Sequence, residues 1–137
     1  VTLFASLFTY LSQAEDVTDL LGSGVDCRIY DTDAEEMAQY PYSVIVQSGE
    51  EQEHQFGGLP VIRIIDITIE TYAQSIDDAR SVDQALYSAL MGNESSMTDV
   101  REIVFEGRRE GYDFDLAETP ATAPAFVESD YRIFFNA

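Results

Sequence analysis

The chain has no lysine and no tryptophan, and only one cysteine, one histidine and four prolines in 137 residues. A lone Cys27 can form neither an internal disulfide nor a cysteine metal cluster, so it reads as a small core residue beside a strand. The single histidine, His54, lies among carboxylates with no Gly-x-Ser-x-Gly motif and no cysteine near it, so a nucleophile and base pair lacks its parts. It reads as a solvated surface residue. No apolar run approaches the roughly 20 residues of a membrane span, and no charged-then-apolar leader opens the sequence, so a soluble protein is expected. Glycine-rich phosphate cradles are missing too, because Gly57-Gly58 leads into a strand and not into a helix. No Asp-x-Asp-x-Asp-Gly calcium loop occurs.

Without lysine, the basic complement is seven arginines against 26 Asp and Glu, a formal net charge of -19. Only Arg108 and Arg109 are adjacent. Nucleic-acid backbones are held by clustered basic residues that neutralise phosphates, so binding of that kind is excluded as a main role. Such acidity suits a solvated surface that discourages wrong contacts. It also suits a host with a salty cytoplasm, where a Debye length of about 3 Å at 1 M salt screens self-repulsion; the missing lysine favours that host.

What is present is a single domain's worth of apolar pattern, 45% of residues, enough for one core. The pattern centres on Gly57 to Met91. Ile65, Ile67 and Ile69 alternate with Asp66, Thr68 and Glu70, which predicts a strand over Val61 to Tyr72 with one buried face. Its start, Val61, Ile62, Ile64 and Ile65, is apolar on both sides, predicting cover on both faces by the fold or by another subunit and a central place in the sheet. Arg63 inside this run must pair with a carboxylate from a neighbouring strand or subunit, unless its face is wet and its stem simply covers apolar area. Ser75 offers an N-cap, Asp77 and Asp78 suit the first turn, and Ile76, Ala79, Val82, Leu86, Ala89 and Leu90 make one stripe of a helix ending at Gly92. Asp83 is assigned to that helix's wet face.

Ahead of this unit, Leu3, Phe4, Leu7, Phe8, Leu11, Ala14, Val17, Leu20 and Leu21 predict a helical segment up to Gly22, bent near Ser12, where Ser12 and Glu15 form a capping-box pattern. Cys27 to Tyr30 predicts a short edge strand, Asp31 to Tyr40 a loop or short surface helix, and Pro41 to Ser48 a strand. That strand and the Val61 strand form an antiparallel hairpin with a long acidic tip, Gly49 to Phe56. Arg101 to Asp115, with a bulge at Gly107 or Gly111, pairs antiparallel with Val127 to Asn136. The fold class is therefore α+β, a mostly antiparallel sheet with an N-terminal helix and a central amphipathic helix on one face.

Carboxylates are plentiful, but each cluster is accounted for by capping, a wet face or a loop run, so no catalytic, cofactor or metal residue is assigned. As a whole the chain resembles the tail-terminator, or tail-completion, proteins of long-tailed double-stranded DNA phages and related archaeal viruses. The resemblance rests on order and character. A helix ends at Leu20-Leu21-Gly22, Arg28-Ile29-Tyr30 follows, Tyr40-Pro41-Tyr42 opens the strand Ser43-Val44-Ile45-Val46, a long strand ends at Tyr72-Ala73, and a helix runs to Met91. Two final strands lie around Glu106 to Asp115 and Tyr131 to Phe135. The acidic stretch Asp31 to Gln39 departs from the shorter, proline-containing link of that family.

The resemblance implies one domain over residues 1–137 and a non-enzymatic virion protein assembled in the host cytoplasm. It would form a ring, hexameric in that family, that caps the head-proximal end of the tail tube and stops its polymerisation. Its partners would be further copies of itself, the major tail tube protein and a neck or head-closure protein, with viral DNA passing through the lumen unbound and no membrane involved. Residues Glu50, Glu51, Glu53, His54 and Phe56 are the candidate lumen or tube-facing loop, and Val61, Ile62, Arg63 and Ile64 the candidate subunit interface. Another neck ring, an acidic cellular interaction module and a small metal-assisted hydrolase are the competing classes.

Overall fold

The computed structural model describes residues 2–35, 38–53, 62–116 and 123–136. They form the expected α+β arrangement: three helices, α1 (Leu3–Leu11), α2 (Glu15–Leu21) and α3 (Ile76–Leu90), and five strands, β1 (Ile29–Asp31), β2 (Tyr42–Glu53), β3 (Ile62–Ala73), β4 (Val100–Tyr112) and β5 (Ala125–Asn136). The strands make one sheet in the order β1-β2-β3-β5-β4, so β3 is central, as the two-sided apolar start of its run predicts. Neighbouring strands run antiparallel, except that β1 lies parallel to β2.

Side-chain alternation divides the sheet sharply. On β3, Ile65, Ile67 and Ile69 are fully buried and point the same way as Tyr131, Ile133 and Phe135 of β5. The helices cover this face: Leu7, Leu11, Val17, Leu21, Val82, Leu86 and Leu90 join those strand residues in one core. Burying each such aliphatic side chain contributes about 1.5–3 kcal/mol, the main term holding helices to sheet. Ser75 caps α3 as expected, accepting from the Asp78 amide at 3.2 Å, and Gly92 takes φ +82° just beyond the helix. Among the described residues no α-helix packs on the opposite sheet face.

Two local expectations change. The N-terminal segment is bent at Ser12, but no capping box forms. Ser12 ends α1, with its hydroxyl 3.5 Å from the Thr9 carbonyl, while Ala14 stands at the N-cap of α2 without a side-chain bond. Glu15 and Asp16 in the first turn complement the exposed amides instead. In the second correction, Gly49 to Glu53 is not a loop tip. It is the far half of β2, paired with Ile62 to Asp66 of β3. A bulge between Gln47 and Gly49 shifts the register there and exchanges the faces. The polar composition of Gly49 to Glu53 reads as a turn, whereas the structure uses it as a solvated strand end. After β1, no helix forms among the described residues of the acidic stretch. The predicted bulge in β4 is present at Phe105/Gly107, with Gly107 at φ +145°, and a second shift lies at Val100/Glu102.

Candidate assembly surfaces

The two candidate surfaces named from the sequence are one piece of sheet, because the far ends of β2 and β3 pair with each other. Glu50 sits beside Ile65, and Gln52 beside Arg63, on the helix-covered side. Arg63 forms an ion pair with Glu50 and lies over the Phe135 ring at 5.8 Å. The partner that Arg63 requires thus comes from the neighbouring strand of its own chain. The hydrogen bond from Arg63 holds the Glu50 carboxyl below the usual range and raises Arg63 in turn. Glu51 is exposed on the opposite face, across from Ile64, and Glu53 ends the strand across from Ile62. His54, Phe56 and Val61 lie outside the described residues.

Ile64 is only 7% exposed and Ile62 is half-buried, although no helix covers their side of the sheet. Phe134 of β5 stands across from Ile64 on that open face. The middle of the open face is polar and cross-linked. Asp66 accepts from Arg132 at 3.0 Å, Thr68 donates to Asp130 at 2.6 Å, and Arg109 pairs with Glu128. Its far end is aromatic, with Tyr30, Tyr42, Tyr72 and Phe126 side by side on four successive strands at centroid spacings of 6.0, 5.3 and 6.4 Å. Phe126 lies against Gly111, where an added Cβ would meet its ring at 3.3 Å.

Five of the seven arginines pair with carboxylates of the same chain. Arg80 pairs with Glu110 and Asp77, and Arg108 with Asp83. Arg28 donates to the carbonyls of Leu20 at 2.9 Å and Pro41 at 2.8 Å, tying the end of α2 to the start of β2. Among the described residues Arg101 alone has neither an ion pair nor a side-chain hydrogen bond. The adjacent Arg108 and Arg109 point to opposite faces of β4, across from Ser129 and Glu128, so they make no basic patch.

The assignment of Asp83 to a wet helix face is wrong. Asp83 is 2% exposed and faces the sheet, where it accepts from the Ser129 hydroxyl at 2.5 Å and pairs with Arg108 at 3.3 Å. Arg108 also lies over the rings of Phe105 and Tyr87, at 4.9 and 5.6 Å. The signal was present in the sequence: Asp83 stands four residues after Ala79, three before Leu86 and seven before Leu90, inside the apolar stripe. Nearby, the Tyr131 hydroxyl is buried beside Ser129 and Asp83 with no well-formed hydrogen bond among the described residues, and burial followed by the negative charge of Asp83 raises its pKa above the phenol range. Arg80, Ser81, Asp83, Gln84, Arg108 and Glu110 line an open cleft of about 570 Å³. Its charged groups pair with one another, Arg80 with Glu110 and Arg108 with Asp83. Among the described residues no three Asp, Glu, His or Cys side chains converge as a metal site, and no helix is long and apolar enough to cross a membrane.

The helix-backed, mostly antiparallel sheet defines an α+β class. No protein-family model matches the chain, and no curated protein matches it in sequence. Its fold is shared with a chain of the solved structure described as "Virion of native gene transfer agent (GTA) particle". The two superpose with a TM-score of 0.67 at 12% identity, over 98% of this chain and 95% of the other. At that identity the likeness establishes a common fold, and it extends from end to end of both chains.

Proposed function

We propose that this protein is a structural component of a virion, of the tail-terminator kind. Copies form a ring, hexameric as in that family, which caps the head-proximal end of the tail tube, stops its growth and joins it to the neck. The observation that carries the reading is the end-to-end match in fold to a chain of a virion particle, coinciding with an order of elements that resembles tail terminators. The work asked of such a protein is closure, docking and passage of DNA, and none of these needs a reactive group.

The described surface supports that work. Heterologous ring contacts need two different complementary patches on one subunit. Among the described residues the β4 edge and the outer edge of β2 beyond β1 have no strand partner, and they lie at opposite ends of the sheet. Acidic side chains such as Glu51 and the excess over arginine repel phosphates, letting DNA slide without sticking. The formal charge of -19 further fits assembly inside a salt-rich host cell.

Light scattering on the purified chain, alone and with the tail tube protein of the same virus, tests the proposal. A ring gives six times 15.3 kDa, about 92 kDa, alone or on the tube end. A monomer at all salt concentrations that also ignores the tube protein contradicts it.

A further inference from the structure

The aromatic end of the open sheet face is used by none of the roles above. There Tyr42 stands opposite Tyr72, and Val44 opposite Glu70, so all four side chains leave the same side of β2 and β3. With Thr32 and Asp33 from the turn after β1, they line a cleft of about 170 Å³. Tyr42 is held between Tyr40 and Tyr72, whose rings stack on it at 5.5 and 5.3 Å. It is only 8% exposed, and its hydroxyl makes no hydrogen bond among the described residues while keeping contact with solvent.

Glu70 is a second group left with room for a partner. It is half-buried, and among the described residues its carboxylate has one long hydrogen bond, 3.5 Å from the Tyr72 hydroxyl. The arginines that could serve it are engaged elsewhere, Arg109 with Glu128 and Arg132 with Asp66. Burial first, then the charges of Glu128, Asp113 and Asp33, raise the Glu70 pKa. Burial and the surrounding tyrosines and carboxylates likewise push Tyr42 up to about 12. This part of the surface collects negative charge around a small preformed cavity and supplies no cation of its own.

We propose that the cleft receives an arginine side chain from a partner protein. Glu70, Asp33, Tyr42 and Thr32, all with acceptor oxygens on their side chains, line this small volume. A planar guanidinium with five donors satisfies such a set better than a compact ammonium does. Val44 and the tyrosine rings offer an apolar wall to the arginine stem. A second copy of this chain is a poor donor. Among the described residues, all its arginines but Arg101 are held internally, and each copy carries a formal charge of -19. The assignment stands whether or not the chain forms a ring.

The test is a titration of the full chain with the peptide acetyl-Gly-Arg-Gly-amide, read by NMR of the tyrosine rings. Matched lysine and citrulline peptides serve as comparisons, in about 1 M KCl so that diffuse attraction is screened. The arginine peptide is expected to give saturating shifts at Tyr42 and Tyr72, with the lysine peptide about fivefold weaker and citrulline silent. Glu70→Gln, which relieves repulsion and so keeps the fold, is expected to weaken binding about fivefold, while Glu15→Gln on α2 changes nothing. Shifts that fail to saturate, that are equal for the three peptides, or that respond alike to both variants overturn the proposal. So do shifts produced by raising the protein concentration alone and lost in Arg101→Gln, because they place a second copy in the cleft.

Discussion

Replacing Arg108 by glutamine tests the least expected feature of the core, a carboxylate inserted between α3 and the sheet. Asp83 is 2% exposed and has two partners, Ser129 at 2.5 Å and Arg108 at 3.3 Å. Breaking a fully buried ion pair on one side costs about 3–5 kcal/mol, because the other charge is left uncompensated. The Arg108 side chain is 39% exposed, so water takes over part of its role and the expected loss for Arg108→Gln is about 2–3 kcal/mol. Asp83→Asn keeps the contact with Ser129 but exchanges a charged hydrogen bond for a neutral one, a loss of about 1–2 kcal/mol. In the double variant no buried charge is stranded, so its loss should fall short of the sum by about 1–2 kcal/mol. Urea unfolding at high KCl measures this without changing ionic strength. With a slope of about 1–3 kcal/mol per molar urea, Arg108→Gln should lower the midpoint by about 0.7–3 M. If that variant loses less than about 0.5 kcal/mol, or the losses simply add, the pair does not hold α3 to the sheet as argued.

Stability should rise with KCl up to about 1 M, where the screening length has fallen from about 10 to about 3 Å; a thermal midpoint that is flat over this range refutes the view that self-repulsion strains the fold. Glu70 has a raised folded pKa, so the native state binds the extra proton and Glu70 favours folding at low pH, a contribution lost as pH rises from its ordinary 4.5 through the raised value. Glu70→Gln should therefore raise the urea midpoint at pH 7 relative to the parent, with the gain disappearing below pH 4.5, and an equal midpoint at both pH values contradicts this. Tyr131→Phe removes a buried hydroxyl with no well-formed hydrogen bond among the described residues and should leave stability unchanged or raise it by about 1 kcal/mol; a loss in urea unfolding shows that the hydroxyl has a partner after all. Gly22→Ala should cost about 1–3 kcal/mol, because φ is +90° and the new Cβ would sit 2.7 Å from the Asp26 carbonyl oxygen; a neutral result in the same assay counts against a rigid turn after α2.

The alternation of Ile65, Ile67 and Ile69 made the central strand legible, because a strand with one buried face writes its period directly into sequence. Ser75 and the stripe to Leu90 did the same for α3, and Gly107 marked a bulge that only a residue tolerant of positive φ accommodates. What escaped detection was polar in composition and structural in role. Gly49 to Glu53 resembles a turn because it is polar and Glu50 and Glu51 are wet, yet β-pairing to Ile62 to Asp66 satisfies its backbone. The bulge beyond Gln47 then brings Glu50 to the face of Arg63, a placement that depends on one residue of register. Asp83 was assigned to solvent on its charge, although its position in the stripe pointed inward. The aromatic row escaped because Tyr30, Tyr42, Tyr72 and Phe126 are far apart in the chain and meet only through strand order.

The most direct test of the proposed role is to polymerise the tail tube protein of the same virus with and without this chain and to measure tube lengths by electron microscopy. The proposal predicts tubes that stop growing once the chain is added, each with a six-fold ring at one end. Tubes of unchanged length with bare ends would contradict it.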